Sequence, residues 1–212
     1  FIRKLSNTGA ELASIDLSQF VETQEATDEK YRNSFYINGM IADDAGNIYI
    51  SDGNNTVYVI GPDATFLFKA TVENYLSSFA KIKDGTVGVT TNAKDGSGTV
   101  LKAIDVNAKG WGKEYPVPNN VWNASDGGKA YDFCYTDGSS LFGYDLATAA
   151  SEKILTWLNC DVDGNNVSFS TILDDGNVFA INNNYSDDGK TNFEIITLVK
   201  TPRSEVKKKT TL

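Results

Sequence analysis

The chain has 212 residues, 41% of them hydrophobic and 22% charged; that is enough for one domain to bury a substantial core, and no apolar run approaches the roughly 18 residues that a bilayer-spanning helix needs. It contains no histidine, which excludes a Ser-His-Asp triad, a Cys-His pair, an H-E-x-x-H zinc site and a histidine general base. A net charge of −9 repels phosphate backbones and argues against nucleic acid as a partner, leaving neutral or cationic ligands as the easier ones to hold.

In chain order, the first element is a hairpin over Phe1–Leu17: a short apolar run, a polar turn and a second apolar run. The chain starts without an initiator Met, within that hairpin pattern, so a processed chain is expected, with any targeting signal removed upstream. Residues 18–38 form the longest connection, acidic at Glu22, Glu25, Asp28 and Glu29 and aromatic towards its end at Tyr31, Phe35 and Tyr36. A second kind of hairpin follows, with its turn at Gly46-Asn47 and the run Ile48–Ile50 after it. The two kinds then alternate. Hairpins like the first recur at Thr56–Val72, Val100–Val117 and Ser140–Trp157. Turns like the second recur at Asp84-Gly85, Asp126-Gly127 and Asp175-Gly176, followed by Val87–Val89, Tyr131–Phe133 and Val178–Ile181.

Gly46 to Gly176 is 130 residues over three intervals, a period of about 43. Four strands in a unit of roughly 40 to 50 residues is the signature of a propeller blade. No stretch holds a helical apolar stripe, and the β-branched and aromatic runs punctuated by Gly, Asn and Asp argue for strands throughout. The expected fold is therefore all-β, a β-propeller of four-stranded antiparallel blades. Seventeen strands are expected, two at the N-terminus and then four, four, four and three. About four to five blades would be visible, as the C-terminal part of a larger propeller. The propeller domain is assigned to residues 1–200.

Each sheet must cover its faces with its neighbours. The expected core is Ile48, Ile50, Val57, Val59, Phe66 and Phe68, then Val87, Val89, Leu101 and Ile104, then Phe133, Leu141, Tyr144 and Ile154, and last Phe169, Ile172, Phe179, Ile181, Ile195 and Leu198. The two cysteines, Cys134 and Cys160, are too few for a disulfide framework and suit no metal motif; two buried thiols are expected, with one structural disulfide as the alternative. Residues 201–212 are read as a basic junction, because Lys200, Arg203, Lys207, Lys208 and Lys209 face only Glu205 across the last stretch.

Two stretches carry a resemblance. Asn38–Asp52, with its Asp-x-x-Gly-Asn-hydrophobic-Tyr-hydrophobic hairpin, resembles the blade of NHL and SMP-30-like propellers. Ser140–Asp161 together with Ser204–Leu212 resembles the propeller-like N-terminal region of large surface lipoproteins of Gram-positive bacteria, in which an extracellular solute-binding domain follows. That resemblance implies an extracellular, cell-surface location, a membrane contact only through a lipid anchor outside this chain, and a solute-binding domain downstream. It brings no assigned functional residues.

Candidate sites follow from residue chemistry. Asp161-Val-Asp163-Gly-Asn165 begins like a calcium loop, but Gly164 is at the fourth position and Ile172 at the twelfth, so a turn between blades is the reading. Asn182–Gly189 is read as a long hairpin loop. The pairs Asp43-Asp44 and Asp174-Asp175 recur at equivalent positions, which points to turn chemistry; a catalytic pair would occur once. The candidate binding residues are the aromatic Tyr31, Tyr36, Trp122 and Tyr185, all on inter-strand connections and suited to sugars or peptides. No catalytic residue, metal or cofactor is expected. The function expected is a non-catalytic binding module for a small solute or a protein partner; the alternatives are a structural spacer and a carboxylate- and metal-dependent lactonase or hydrolase.

Overall fold

The computed structural model describes residues 1–17, 37–52, 55–119, 121, 123–157, 167–185, 191–199 and 205–211. The hairpin of β1 (Ile2–Leu5) and β2 (Glu11–Ile15) comes first. Four antiparallel sheets of four strands follow. The first holds β3 (Gly39–Ala42), β4 (Ile48–Ser51), β5 (Thr56–Ile60) and β6 (Phe66–Thr71); the second holds β7 (Leu76–Lys81), β8 (Val87–Asn92), β9 (Thr99–Asp105) and β10 (Gly110–Val117). The third holds β11 (Asn123–Ser125), β12 (Phe133–Thr136), β13 (Ser140–Asp145) and β14 (Ala150–Thr156); the fourth holds β15 (Val167–Ile172), β16 (Val178–Tyr185), β17 (Thr191–Val199) and β18 (Glu205–Thr211). Strands pair in chain order within every sheet, which is the blade of a β-propeller.

Packing between successive blades follows from strand alternation. Tyr49, Val57, Val59 and Phe68 of the first blade meet Leu76, Phe79, Val87 and Val89 of the second. Leu101 and Ala103 of the second meet Phe133, Tyr135 and Tyr144 of the third. Cys134, Leu141, Leu155 and Trp157 of the third meet Ile172, Val178, Ala180 and Ile196 of the fourth. On the other side of the first blade, Ile50 and Ile60 are covered by Ile2, Ile15 and Leu17 of the N-terminal hairpin. A single strand thus feeds two cores: Tyr49 points one way and Ile50 the other.

Three blades share one turn. The N–H groups of Asp43, Ile82 and Leu173 bond to the carbonyls of Asn47, Thr86 and Asn177, and the N–H groups of Gly46, Gly85 and Gly176 bond back to the carbonyls of Asp43, Ile82 and Leu173. Gly85 (φ 88) and Gly176 (φ 82) adopt the left-handed backbone that makes glycine the fitting residue. Counting back from the turn makes Gly39, Ser78 and Phe169 equivalent, and their cross-strand partners Ser51, Thr90 and Ile181 equivalent too.

Several expectations are corrected. Among the described residues there are eighteen strands, because Glu205–Thr211, within the stretch read as a junction, forms β18 and pairs with β17. Its lysines suit an outermost strand, where charge discourages further pairing. The turn at Asp126-Gly127 is not a tight hairpin; β12 begins only at Phe133. Of the expected core, Ile50, Val57, Val59, Phe68, Val87, Val89, Leu101, Ile104, Phe133, Leu141, Tyr144 and Ile172 are buried. Phe66 and Phe169 are exposed. Ile48, Ile154, Phe179, Ile181 and Ile195 are half-buried, and the side chain of Leu198 lies outside the described residues. Phe66 starts an outermost strand beside the register shift at Val59/Ile60. Phe169, Phe179 and Ile181 sit on the fourth blade's far face, where no further sheet packs among the described residues.

Candidate functional site

The innermost strands β3, β7, β11 and β15 stand side by side and line a groove of about 1100 Å³ along the axis. Strands β7, β11 and β15 bring Ser77, Ser78, Asn123, Ser125, Ser168 and Thr171 to the groove, whereas β3 is Gly-Met-Ile-Ala. The inner strands run in the same direction, so their starts lie at one end of the groove and their last residues at the other.

The starting end is neutral. Asn38, Ser77, Asn123 and Ser168 line it, with Tyr75 at its margin. Tyr75 is 59% exposed, and the Thr91 hydroxyl donates to its carbonyl at 2.9 Å, which fixes the backbone carrying the ring. An exposed phenol beside amide and hydroxyl groups offers an apolar face with a polar rim. Deeper in the wall, the Ser78 hydroxyl hydrogen-bonds with that of Thr90 at 2.8 Å and accepts the Ala124 N–H at 3.1 Å, which ties the second blade to the third. Ser51 also lines the groove; its side chain is buried and, among the described residues, its Oγ has no hydrogen-bond partner.

The far end is charged. Lys81 Nζ lies 2.6 Å from Asp44 and 3.8 Å from Asp126, and Lys129 Nζ lies 3.3 Å from Asp174. The hydrogen bond to Asp44, with the fields of Asp126 and Asp174, holds the Lys81 ammonium above its ordinary value despite some burial. The paired acids found in the sequence divide their work here. Asp43 accepts the Asn47 N–H at 2.8 Å, the Asn47 side-chain amide at 2.7 Å and the Tyr49 hydroxyl at 2.8 Å, while Asp44 faces Lys81. Partial burial pushes the Asp43 carboxyl up, but the bonds from Asn47 and Tyr49 outweigh it and hold the group below the usual carboxylate value. Asp175 accepts the Asn177 N–H at 2.9 Å. Turn chemistry therefore accounts for Asp43 and Asp175. Among the described residues, no group of three His, Cys, Asp or Glu side chains is placed to hold a metal ion.

Tyr31, Tyr36 and Trp122 lie outside the described residues, as do Asp161–Asn165 and Cys160. Tyr185 ends β16 opposite Thr191, and its side chain is likewise outside them. Asn38, two residues after Tyr36, and Asn123, next after Trp122, both line the neutral end of the groove. Sequence reasoning missed the groove residues Ser77, Ser78, Asn123, Ser168 and Ser51, since serine and asparagine on a strand carry no chemical signature of their own. The one compositional signal lies in the second blade, where β7 has no β-branched residue and β8 has four. Cys134 is a buried free thiol that donates to the Asp126 carbonyl at 3.0 Å, and burial pushes its pKa up to about 12.

No family model matches the sequence, and no curated protein matches it. Solved structures do match in fold. A hydrazine synthase from Kuenenia stuttgartiensis is similar at 15% identity and TM-score 0.52, over 84% of this chain and 49% of that one. An auxiliary nutrient binding protein from Bacteroides ovatus is similar at 12% identity and TM-score 0.51, over 84% and 57%. A protein of unknown function from Bacteroides caccae is similar at 12% identity and TM-score 0.50, over 82% and 60%. The chain thus spans about half the length of the structures it matches. Blades, axis and groove together define this chain as a β-propeller.

Proposed function

We propose that the chain is a non-catalytic binding module that captures a small solute, a sugar or a short peptide, in the axial groove. The observation that carries this reading is the groove itself: about 1100 Å³, built from the inner strands of all four blades, with a neutral end of Asn38, Ser77, Asn123 and Ser168 beside the exposed ring of Tyr75. Concave sites with a few convergent polar groups are the usual setting for small ligands. One of the similar structures is called an auxiliary nutrient binding protein, which is consistent with this use of the fold. The chain would act outside the cell, as the propeller region of a lipid-anchored surface protein with a solute-binding domain further along, as the likeness of Ser140–Asp161 and Ser204–Leu212 to surface lipoproteins suggests.

Isothermal titration of the chain with panels of disaccharides and tripeptides tests the proposal. One panel is expected to give saturable binding that Tyr75→Ala weakens at least several-fold with no change in the ligand. Absence of binding to every member, or binding indifferent to Tyr75, refutes it.

A further inference from the structure

We infer that the neutral end of the groove continues into a second, smaller hollow at Asn74, Asn92 and Asn119, and that this hollow is an outer subsite for an uncharged oligosaccharide longer than two units. The inference rests on the groove being the binding site and adds the class and length of its ligand. The hollow is open to solvent and measures about 400 Å³. It lies at the same end of the second blade as Tyr75, because each segment that builds it enters or leaves a strand there. Asn74 stands just before β7, Asn92 ends β8, Thr99 begins β9, and Asn119 follows β10. Asn74 lines the hollow and Tyr75, the next residue, lines the groove, so a ridge of one residue's width divides the two. That ridge is pinned on both sides: the Asn74 side-chain amide donates to the Asn92 carbonyl at 3.3 Å, and the Thr91 hydroxyl donates to the Tyr75 carbonyl at 2.9 Å.

The three amides are only partly used. Asn74 spends its NH2 on the carbonyls of Asn92 and Ala93, which leaves its Oδ1 without a partner among the described residues. Asn119 Oδ1 accepts the Thr99 N–H at 2.9 Å, which leaves its NH2 to donate. A Cβ on Gly98 would lie 2.5 Å from that Oδ1, so glycine is what lets Asn119 close over the turn. Asn92 is exposed, and its side chain makes no hydrogen bond among the described residues. The hollow thus offers an acceptor, a donor and one whole amide. Neighbouring hydroxyls of a sugar ring, each a donor and an acceptor at once, match that set. A peptide fits it less well. Ala93 is the one hydrophobic side chain in the described lining, and at 7% exposure it forms no apolar cup for a peptide side chain. Charge is balanced as well, since Lys94 at the rim lies 2.8 Å from Glu73. Tyr75 on the ridge supplies an exposed ring for the sugar unit that crosses from one hollow to the other.

The experiment titrates wild type, Asn92→Ala, Asn119→Asp and Tyr75→Ala with the di- and tetrasaccharides of the maltose, cellobiose, xylobiose and mannobiose series, and with tri-alanine, and records the melting temperature of each variant. Asn119→Asp keeps the oxygen that accepts the Thr99 N–H and removes only the NH2, and Asn92→Ala removes a side chain with no described hydrogen bond, so both are expected to melt with wild type. In the series that binds, the tetrasaccharide is expected to bind at least about fivefold tighter than the disaccharide, the scale of one added hydrogen bond. Asn92→Ala and Asn119→Asp are each expected to cut that gain and leave disaccharide affinity unchanged, while Tyr75→Ala weakens both lengths. If the tetrasaccharide binds no tighter and the asparagine variants change nothing, the outer subsite is refuted and the groove stands. If the asparagine variants weaken both lengths alike while Tyr75→Ala weakens neither, the continuous site is refuted and the groove reading falls with it. If the chain binds tri-alanine and none of the sugars, the sugar assignment is refuted while the groove stands. If no probe binds, both readings fall.

Discussion

Replacing Asp43 by alanine isolates the turn that closes the first blade onto the groove. The carboxylate accepts three hydrogen bonds of 2.7 to 2.8 Å, from the Asn47 N–H, the Asn47 side chain and the Tyr49 hydroxyl, and Tyr49 is only 1% exposed. Losing an acceptor beneath a buried hydroxyl costs about 1–3 kcal/mol, and the two turn bonds add about 1 kcal/mol, for about 2–4 kcal/mol in all. For a domain of this size that is a fall in melting temperature of about 5–12 °C. Differential scanning calorimetry at pH 7 measures it. Asp43→Asn adds the charge dependence. Because the folded-state pKa of Asp43 is depressed, its charge stabilises the fold above the ordinary value of 3.8, and that contribution is lost as pH falls through the lower folded value. The gap between wild type and Asp43→Asn should therefore be widest near neutrality and close below about pH 3.8. A fall of less than about 2 °C for the alanine variant, or a gap independent of pH, would show that the turn does not rest on this carboxylate.

Other perturbations probe the blade junctions. Gly128→Ala introduces a Cβ 2.7 Å from the Leu173 carbonyl oxygen and 3.1 Å from that of Ile172 at a residue with φ +62, and neither contact can be relieved by turning a side chain; a melting-temperature loss of about 5 °C or more is expected. Trp111→Phe removes the indole N–H that donates to the Thr71 carbonyl at 2.9 Å; chemical denaturation should register about 1 kcal/mol, since the bond is solvent-accessible. Cys134, with its thiol held protonated by burial, should resist an aromatic disulfide reagent at pH 8 in the folded chain and react fully in guanidinium, as a colorimetric thiol count would show.

The hairpins were legible because strand periodicity and turn chemistry repeat together: Thr56–Val72, Val100–Val117 and Ser140–Trp157 each fold as the two outer strands of a blade. What alternation cannot report is which face has a neighbour. Phe169 and Phe179 read as core because they are aromatic residues on strands; their ring centroids lie 6.4 Å apart, edge to face, on a face that no described sheet covers. The strand at Glu205–Thr211 escaped notice because Lys207-Lys208-Lys209 breaks the alternation, which an outermost strand does not need. The groove was hidden for a different reason. Aromatic residues on long connections drew attention as ligand contacts, whereas the polar part of the described lining is mostly serines and asparagines on strand starts, which carry no signature in sequence. Gly39 is unremarkable in sequence; set beside Ser78, it shows why Ser51 lacks the hydroxyl partner that Thr90 has.

The most direct test of solute capture on the axis is a 1H–15N correlation spectrum of the chain, titrated with whichever disaccharide binds. Shifts concentrated on Asn38, Gly39, Ser51, Ser77, Asn123 and Ser168, with the outermost strands β6, β10 and β14 unmoved, are the predicted result. Shifts confined to outer strands, or none at saturating sugar, would contradict it.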